Sequence, residues 1–376
     1  MTKRALVCGA GISGLSIAIA LRRVGWEVSV FDKDSELRVA GAGLNLWPNG
    51  VRVLRELGLG ARYQEISASL DYYRTFSSEG NVVAVDDLRG WSDRYGAPLS
   101  GVYRRDLSAM LVDALGREHL HLGQKVVGVE QHDNVICRLE NGETAEGDVL
   151  IGADGINSAV RTCVFGPQEF SSDGLTRWRG LFDLADVDVD PRSEAEVWGS
   201  DGHLGYLPIG KGRAYWYATA RGITDDPAKA RAHFSTWEGS VVPGLICATE
   251  LSSMLRNELH EFVRPLAHWS RKRVTLMGDA AHPMLPGMAQ GANQALEDVR
   301  ALSRALDSHE DVEAALEAYE QERIPWVAPI VRYSRSLFDF DERHDMASGS
   351  QNPLLDRYEN IVERKHGSSS AATRSR

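Results

Sequence analysis

Three features of this sequence predict an α/β fold, with a parallel sheet gathered from distant segments joined to a second, mainly antiparallel sheet. The first is Gly9-Ala10-Gly11-Ile12-Ser13-Gly14, set between an apolar run and a helical stretch. The second is the return of apolar runs ending in small residues, at 148–153 and 274–277. The third is the texture of residues 70–105 and 170–221, where short β-rich segments such as 81–85 and 214–218 are broken by Gly, Asp and Pro.

Taken in order, residues 5–8 are apolar, 13–23 carry Leu15 and Ile19 at helical spacing, and 28–31 are apolar again. That is a βαβ unit, which requires a parallel sheet. Residues 48–57 read as a helix that ends at Gly58, a C-cap. Two more helices are expected at 292–306 and 312–323, the second ended by Pro325. Segments 1–70, 100–168 and 265–335 then make a discontinuous Rossmann-like domain, and 71–99 with 169–264 make a substrate-binding sheet domain. A C-terminal helical segment is expected at 336–366, and the Ser/Ala/Arg-rich residues 367–376 read as a disordered tail.

A chain of 376 residues fits two domains, and 43% hydrophobic with 25% charged residues is ordinary globular composition. The formal charge of -11 argues against nucleic acid or an anionic membrane as the main partner and favours a small ligand. Cys8, Cys137, Cys163 and Cys247 are scattered, with no metal-ligand spacing, so no metal is expected and a reducing cytoplasm fits. The apolar stretch 5–21 is interrupted by Gly9, Gly11 and Gly14, as a phosphate-binding turn requires and a leader peptide does not. No later segment nears the roughly 20 apolar residues of a membrane span. No stable membrane association is therefore expected, and the chain is read as a monomer or homodimer.

Each motif has its own chemistry. In the first, Gly9 permits a tight turn, Gly11 lets the backbone approach a pyrophosphate, and Gly14 lets the helix pack on the strand. The helix N-terminus offers N–H groups and positive dipole to the phosphates. Asp32, at the end of the second strand, is the expected acceptor for ribose hydroxyls. The second motif closes on Ala153-Asp154-Gly155, either an Asp-Gly turn or a place where backbone meets ligand at the carboxyl edge of the sheet. The third is Gly278-Asp279-Ala280-Ala281-His282, then Pro286, Gln290-Gly291-Ala292-Asn293 and Glu297-Asp298. Asp279 can accept from a sugar-like hydroxyl. Gly291, Ala292 and Asn293 open a helix whose free N–H groups suit a delocalised anion.

Together these residues resemble the para-hydroxybenzoate-hydroxylase-like class of single-component flavin monooxygenases, the group A aromatic hydroxylases, over residues 5 to about 335. The resemblance implies tight, noncovalent FAD, held by Gly9, Gly11, Gly14, Asp32, Arg104, Asp154 and Asp279, with Gly291, Ala292 and Asn293 facing the isoalloxazine. Asp32 stands where the family commonly has Glu, and Ala289 where it commonly has Gly. The family has no separate nicotinamide domain, so NADH or NADPH visits transiently. The implied cycle is reduction of FAD, reaction with O2 to a flavin C4a-hydroperoxide, and oxygen transfer to a small aromatic or heteroaromatic substrate.

An electrophilic oxygen attacks a phenolate faster than a phenol, so a base beside the substrate hydroxyl would help. His203, in Gly202-His203-Leu204-Gly205-Tyr206, resembles a position where related hydroxylases place a His or Arg over the substrate. An imidazole titrates at about 6.5, which suits that task. Gln290 and Pro286 occupy positions that line the space beside the flavin in the family, while Arg179, Tyr206, Tyr215 and Tyr217 are expected pocket walls. Three other readings stay open on the sequence: an epoxidase or reductase of the same fold, an NAD-dependent dehydrogenase that would leave the third motif unexplained, and a non-catalytic flavin-binding protein.

Overall fold

The computed structural model describes residues 2–37, 42–171, 176–200, 202–220 and 226–338. Six strands form one sheet in the order Ser270–Arg271, Val274–Leu276, Val149–Gly152, Arg4–Cys8, Glu27–Asp32 and Leu120–Leu122. Every pair is parallel except the antiparallel Ser270–Arg271 edge. Val7 pairs with Ile151 at the centre, and both strands are apolar without alternation because helices cover both faces. The helix Ile12–Arg23 packs against Gly291–Ser308 and Arg104–Leu115, and these share one core with the central strands.

The second sheet has seven strands in the order Leu255–Glu258, Thr176–Asp183, Arg213–Ala220, Gly202–Pro208, Ser193–Trp198, Tyr72–Ser77 and Val82–Asp87. It is antiparallel apart from the parallel pairing of Ser193–Trp198 with Tyr72–Ser77. Its far face carries Trp178, Leu204, Tyr206 and Trp216, packed under the helices Pro227–Phe234 and Val242–Cys247. Its near face meets a small sheet of Gly43–Leu46, Ser67–Ser69 and Ser100–Tyr103, with Tyr103, Leu207, Ile209 and Tyr215 buried between them.

The helix expected at 312–323 departs from expectation. It runs unbroken from Val312 to Ser336, through both Pro325 and Pro329. An interior proline costs about 3 kcal/mol. Against this, Val312, Leu316, Tyr319, Val327 and Ile330 are all buried, each contributing about 1.5–3 kcal/mol. Packing on the helix Gly291–Ser308 therefore outweighs the local preference to stop. The segments expected at 336–366 and 367–376 lie outside the described residues beyond Phe338. Among the described residues, no helix is long and apolar enough to cross a membrane.

Candidate active site

The strand Arg4–Cys8 runs into Gly9, whose φ is +106° and where an added Cβ would stand 2.3 Å from Ala153 O. No side chain fits there, so the first turn lies directly on the end of the Val149–Gly152 strand. Gly11 is the N-cap of the helix Ile12–Arg23, with no capping side chain, and a Cβ built on it meets nothing within 4 Å. The helix thus opens without a side-chain cap, and its first N–H groups could receive a phosphate. Asp32 Oδ2 accepts from Ala10 N at 2.6 Å and Oδ1 from Asp34 N at 2.9 Å. Its carboxylate braces the turn, and each oxygen keeps a lone pair for a ribose hydroxyl.

Asp154 Oδ2 accepts from Ala159 N at 2.7 Å and Val160 N at 3.2 Å, while Ser158 Oγ accepts from Arg161 N at 2.9 Å. This is helix capping of Ala159–Phe165, the turn role that the sequence set beside a cofactor contact.

Asp279 and Arg104, far apart in sequence, are brought together. Asp279 follows the Val274–Leu276 strand and its side chain reaches solvent, yet the surrounding protein pushes its carboxyl above the usual range, opposed by the charges of His282 and Arg104. Beside it opens the helix Gly291–Ser308, whose first intrahelical bond is Gln294 N to Gln290 O at 2.7 Å. The N–H groups of Gly291, Ala292 and Asn293 have no partner within the helix. The Asn293 side chain stitches this helix start to the Gly43–Leu46 strand, accepting from Trp47 N at 2.9 Å and donating to Asn45 O at 3.1 Å. Nδ2 also donates to Ala289 O at 2.8 Å. Ala289 has φ +50°, a left-handed conformation that costs an alanine roughly 1–2 kcal/mol. Its departure from the family glycine is therefore accommodated as strain that neighbouring hydrogen bonds hold.

A fully buried ionic network underlies both turns. Asp298 Oδ2 accepts from Gly278 N at 2.9 Å and His282 Nε2 at 2.6 Å, and Oδ1 accepts from Arg323 Nε at 2.7 Å. Arg323 Nη2 also donates to Gln294 Oε1 at 2.8 Å, and Gln294 Nε2 donates to Gln290 Oε1 at 2.9 Å. Burial pushes the Asp298 carboxyl up, but His282, Arg323 and the Gly278 amide outweigh it and hold it below the usual carboxylate range. Glu297-Asp298 had been legible as part of the motif, but not this role. Gln290 is buried, and its carbonyl accepts from Asn49 Nδ2 at 3.2 Å as well as from Gln294.

The near face of the seven-stranded sheet carries the other expected residues. Cross-strand pairing places His203, Arg179, Tyr215 and Tyr217 on one face, together with Arg177, Glu194 and Glu196. His203, 3% exposed, stacks on Trp198 at 4.7 Å between centroids and meets Tyr217 and Phe338 edge-on at 6.1 and 6.2 Å. Arg179 hydrogen-bonds Asn257. Pro286 opens the short turn Pro286–Met288, and Gly287 in that turn lies against Leu337 and Phe338. Tyr206 is the exception. It lies on the far face with Phe182 and Trp216, because alternate residues of a strand point to opposite faces, so its expected place in the pocket is corrected. Every residue of Gly202–Pro208 is buried, so no alternation of polar and apolar residues tells the two faces apart.

Two acids that no sequence motif marks also lie on the near face. Glu194 Oε2 accepts from Asn45 Nδ2 at 2.5 Å, and burial with Glu196 nearby raises its pKa to about 8. Glu196 Oε1 accepts from Tyr217 Oη at 2.8 Å. Their spacing in Glu194-Ala195-Glu196 put both on one face of a strand, which was the available signal.

A Gly-rich turn at a strand end, an acid on the next strand, and a second helix start fed by a Gly-Asp turn define a dinucleotide-binding α/β flavoprotein. The chain belongs to the family described as FAD binding domain, whose model matches residues 2–334. It is 35% identical to the aurachin C monooxygenase/isomerase of Stigmatella aurantiaca, covering 85% of this chain and 84% of that protein. It is 32% identical to a FAD-dependent urate hydroxylase of Klebsiella pneumoniae, covering 91% of each. The solved structure of Klebsiella pneumoniae HpxO complexed with FAD and uric acid matches with a TM-score of 0.82 at 29% identity, covering 96% of this chain and 93% of that one. The protein is an FAD-dependent monooxygenase of the group A aromatic hydroxylase kind, and FAD is its cofactor.

Proposed function

We propose that this enzyme uses NADH or NADPH and O2 to hydroxylate a small aromatic or heteroaromatic substrate that carries an ionisable hydroxyl, with His203 accepting that proton. The observation that carries the reading is a buried imidazole on the near face of the sheet, beside Tyr217 and close to the turn that follows Asp279. Gly9, Gly11, Gly14 and Asp32 would hold the ADP half of FAD, and Arg104 and Asp279 the linker and ribityl chain. The N–H groups of Gly291, Ala292 and Asn293 would stabilise negative charge on the ring system. The bound flavin supplies the electrophilic oxygen. Tyr215, Tyr217, Arg179, Pro286 and Gln290 would wall the space beside it and exclude water, which otherwise diverts the oxygen to hydrogen peroxide.

The test is His203→Ala. It should keep FAD and substrate-triggered flavin reduction while hydroxylation slows by roughly 10²–10⁴-fold and peroxide accumulates. The deficit should shrink at high pH, where the substrate ionises unaided. Hydroxylation at the parental rate and coupling across the pH range would remove His203 from the mechanism.

A further inference from the structure

A separate cleft opens between the helices Pro48–Glu56 and Gly60–Ile66, the strand Ser67–Ser69 and the start of the helix Trp91–Tyr95, with a volume of about 260 Å³. None of its lining residues belongs to the site described above. Clefts that take small molecules are usually lined by apolar side chains with a few placed polar groups. Here the walls are polar: Arg55, Arg89 and Arg192 converge on the cleft with Ser69 and Ser92, and among the described residues Asp71 is the one acid that lines it. On a chain with a formal charge of -11, three arginines around one aspartate reverse the local sign.

The three guanidiniums are pinned. Arg192 reaches Asp71 through Nη2 at 2.7 Å and Nε at 2.6 Å, and Arg89 reaches Asp87 through Nη2 at 2.6 Å and Nε at 3.0 Å. Arg55 donates through Nη1 to Gly96 O. Each grip uses one edge of the planar fork, so Nη1 of Arg89 and of Arg192 and Nη2 of Arg55 keep donor hydrogens for a ligand. Side chains already fixed in this way lose little freedom when a ligand arrives. Donors supplied by three separate segments suit a tetrahedral oxyanion better than a planar carboxylate, which a single fork satisfies. The cleft also rests on the cofactor side of the molecule, because its lining residues Leu70 and Leu88 pack in one buried cluster with Trp47 and Met288.

We propose that this cleft is a second ligand site and that it takes a phosphate group, borne by the visiting nicotinamide dinucleotide or by a separate phosphorylated small molecule. The assignment does not rest on His203 or on the hydroxylation proposed above.

The test titrates oxidised holoenzyme with inorganic pyrophosphate by calorimetry, in buffer free of phosphate and sulfate, and needs no turnover. Pyrophosphate should bind one to one, and more weakly as salt rises. Arg89→Gln and Arg192→Gln should each weaken binding by roughly 3–30-fold, and the charge reversal Arg55→Glu by more. All three side chains belong to exposed residues, so the variants should fold, and an unchanged flavin content per chain checks that they do. A competition then separates the two sources. Pyrophosphate displaced by an equal concentration of 2′-phospho-ADP-ribose assigns the phosphate to the nicotinamide cofactor, and pyrophosphate that stays bound assigns it to a separate molecule; both outcomes uphold the site. A dissociation constant above roughly 1 mM in the parent, or one that is equal in the parent and all three variants, would mark an adventitious ion only and overturn the proposal.

Discussion

Tyr217 Oη reaches Glu196 Oε1 by lying across Gly205, which pairs with Tyr217 on one side and with Glu196 on the other. A Cβ on Gly205 would stand 2.3 Å from Tyr217 Cζ and 2.4 Å from Oη. The ring crosses the strand only because that residue has no side chain.

Gly205→Ala should therefore evict the ring and destabilise the holoenzyme by about 1–3 kcal/mol, the usual cost of overpacking. Tyr217→Phe keeps the ring and loses only the hydrogen bond, about 0.5–1.5 kcal/mol. Denaturant midpoints of both variants check the order. A Gly205→Ala midpoint equal to the parent's would mean that the ring does not cross there.

Asp298→Asn should cost about 3–5 kcal/mol, because it strands the buried Arg323 and weakens the hold on His282 and Gly278. FAD occupancy should fall with it, since Gly278 precedes Asp279. The pH dependence has a definite sign. The Asp298 carboxyl is held below its ordinary value, so its contribution is present above the unfolded pKa of about 3.9 and lost as pH falls through the lower folded value. Thermal melts from pH 3 to 7 should show a steeper acid limb in the parent than in the variant, and parallel limbs would refute the assignment.

Glu194 predicts the opposite slope. Its folded pKa is pushed up to about 8 by burial first and Glu196 second, against the hydrogen bond from Asn45. Between the unfolded value of about 4.3 and about 8 the folded chain holds a proton that the unfolded chain has released, so stability declines as pH rises through that window. The decline is on the order of a few kcal/mol. Glu194→Gln should flatten it and be the more stable protein at pH 8. A variant that keeps the parental slope would place the titration elsewhere.

The sequence was most legible where one residue type answers one local constraint. Gly9 is required by the carbonyl of Ala153, and Gly14 by the carbonyl of Gly9, 1.9 Å from an added Cβ. It was least legible where distant packing decides. Pro325 reads as a stop signal, yet the helix continues because Val327 and Ile330 are buried beyond it. Tyr206 and Tyr217 look alike in sequence but occupy opposite faces of one sheet. Asp298 likewise gains its role only when Arg323 arrives from another helix.

That arrival fixes an order of events during synthesis. The strand Arg4–Cys8 needs Val149–Gly152 beside it, and that strand needs Val274–Leu276. The clamp on Gly278 is complete only once Arg323 has left the ribosome. Domains as a rule fold as units while the chain emerges N-terminus first. Here the glycine turn itself waits for the Val149–Gly152 strand it rests on, and its counterpart around Asp279 waits for nearly the whole polypeptide. A nascent chain stalled before Arg323 lacks the donor that completes the clamp on Gly278, so capture of FAD at the proposed site would be a late step in biogenesis.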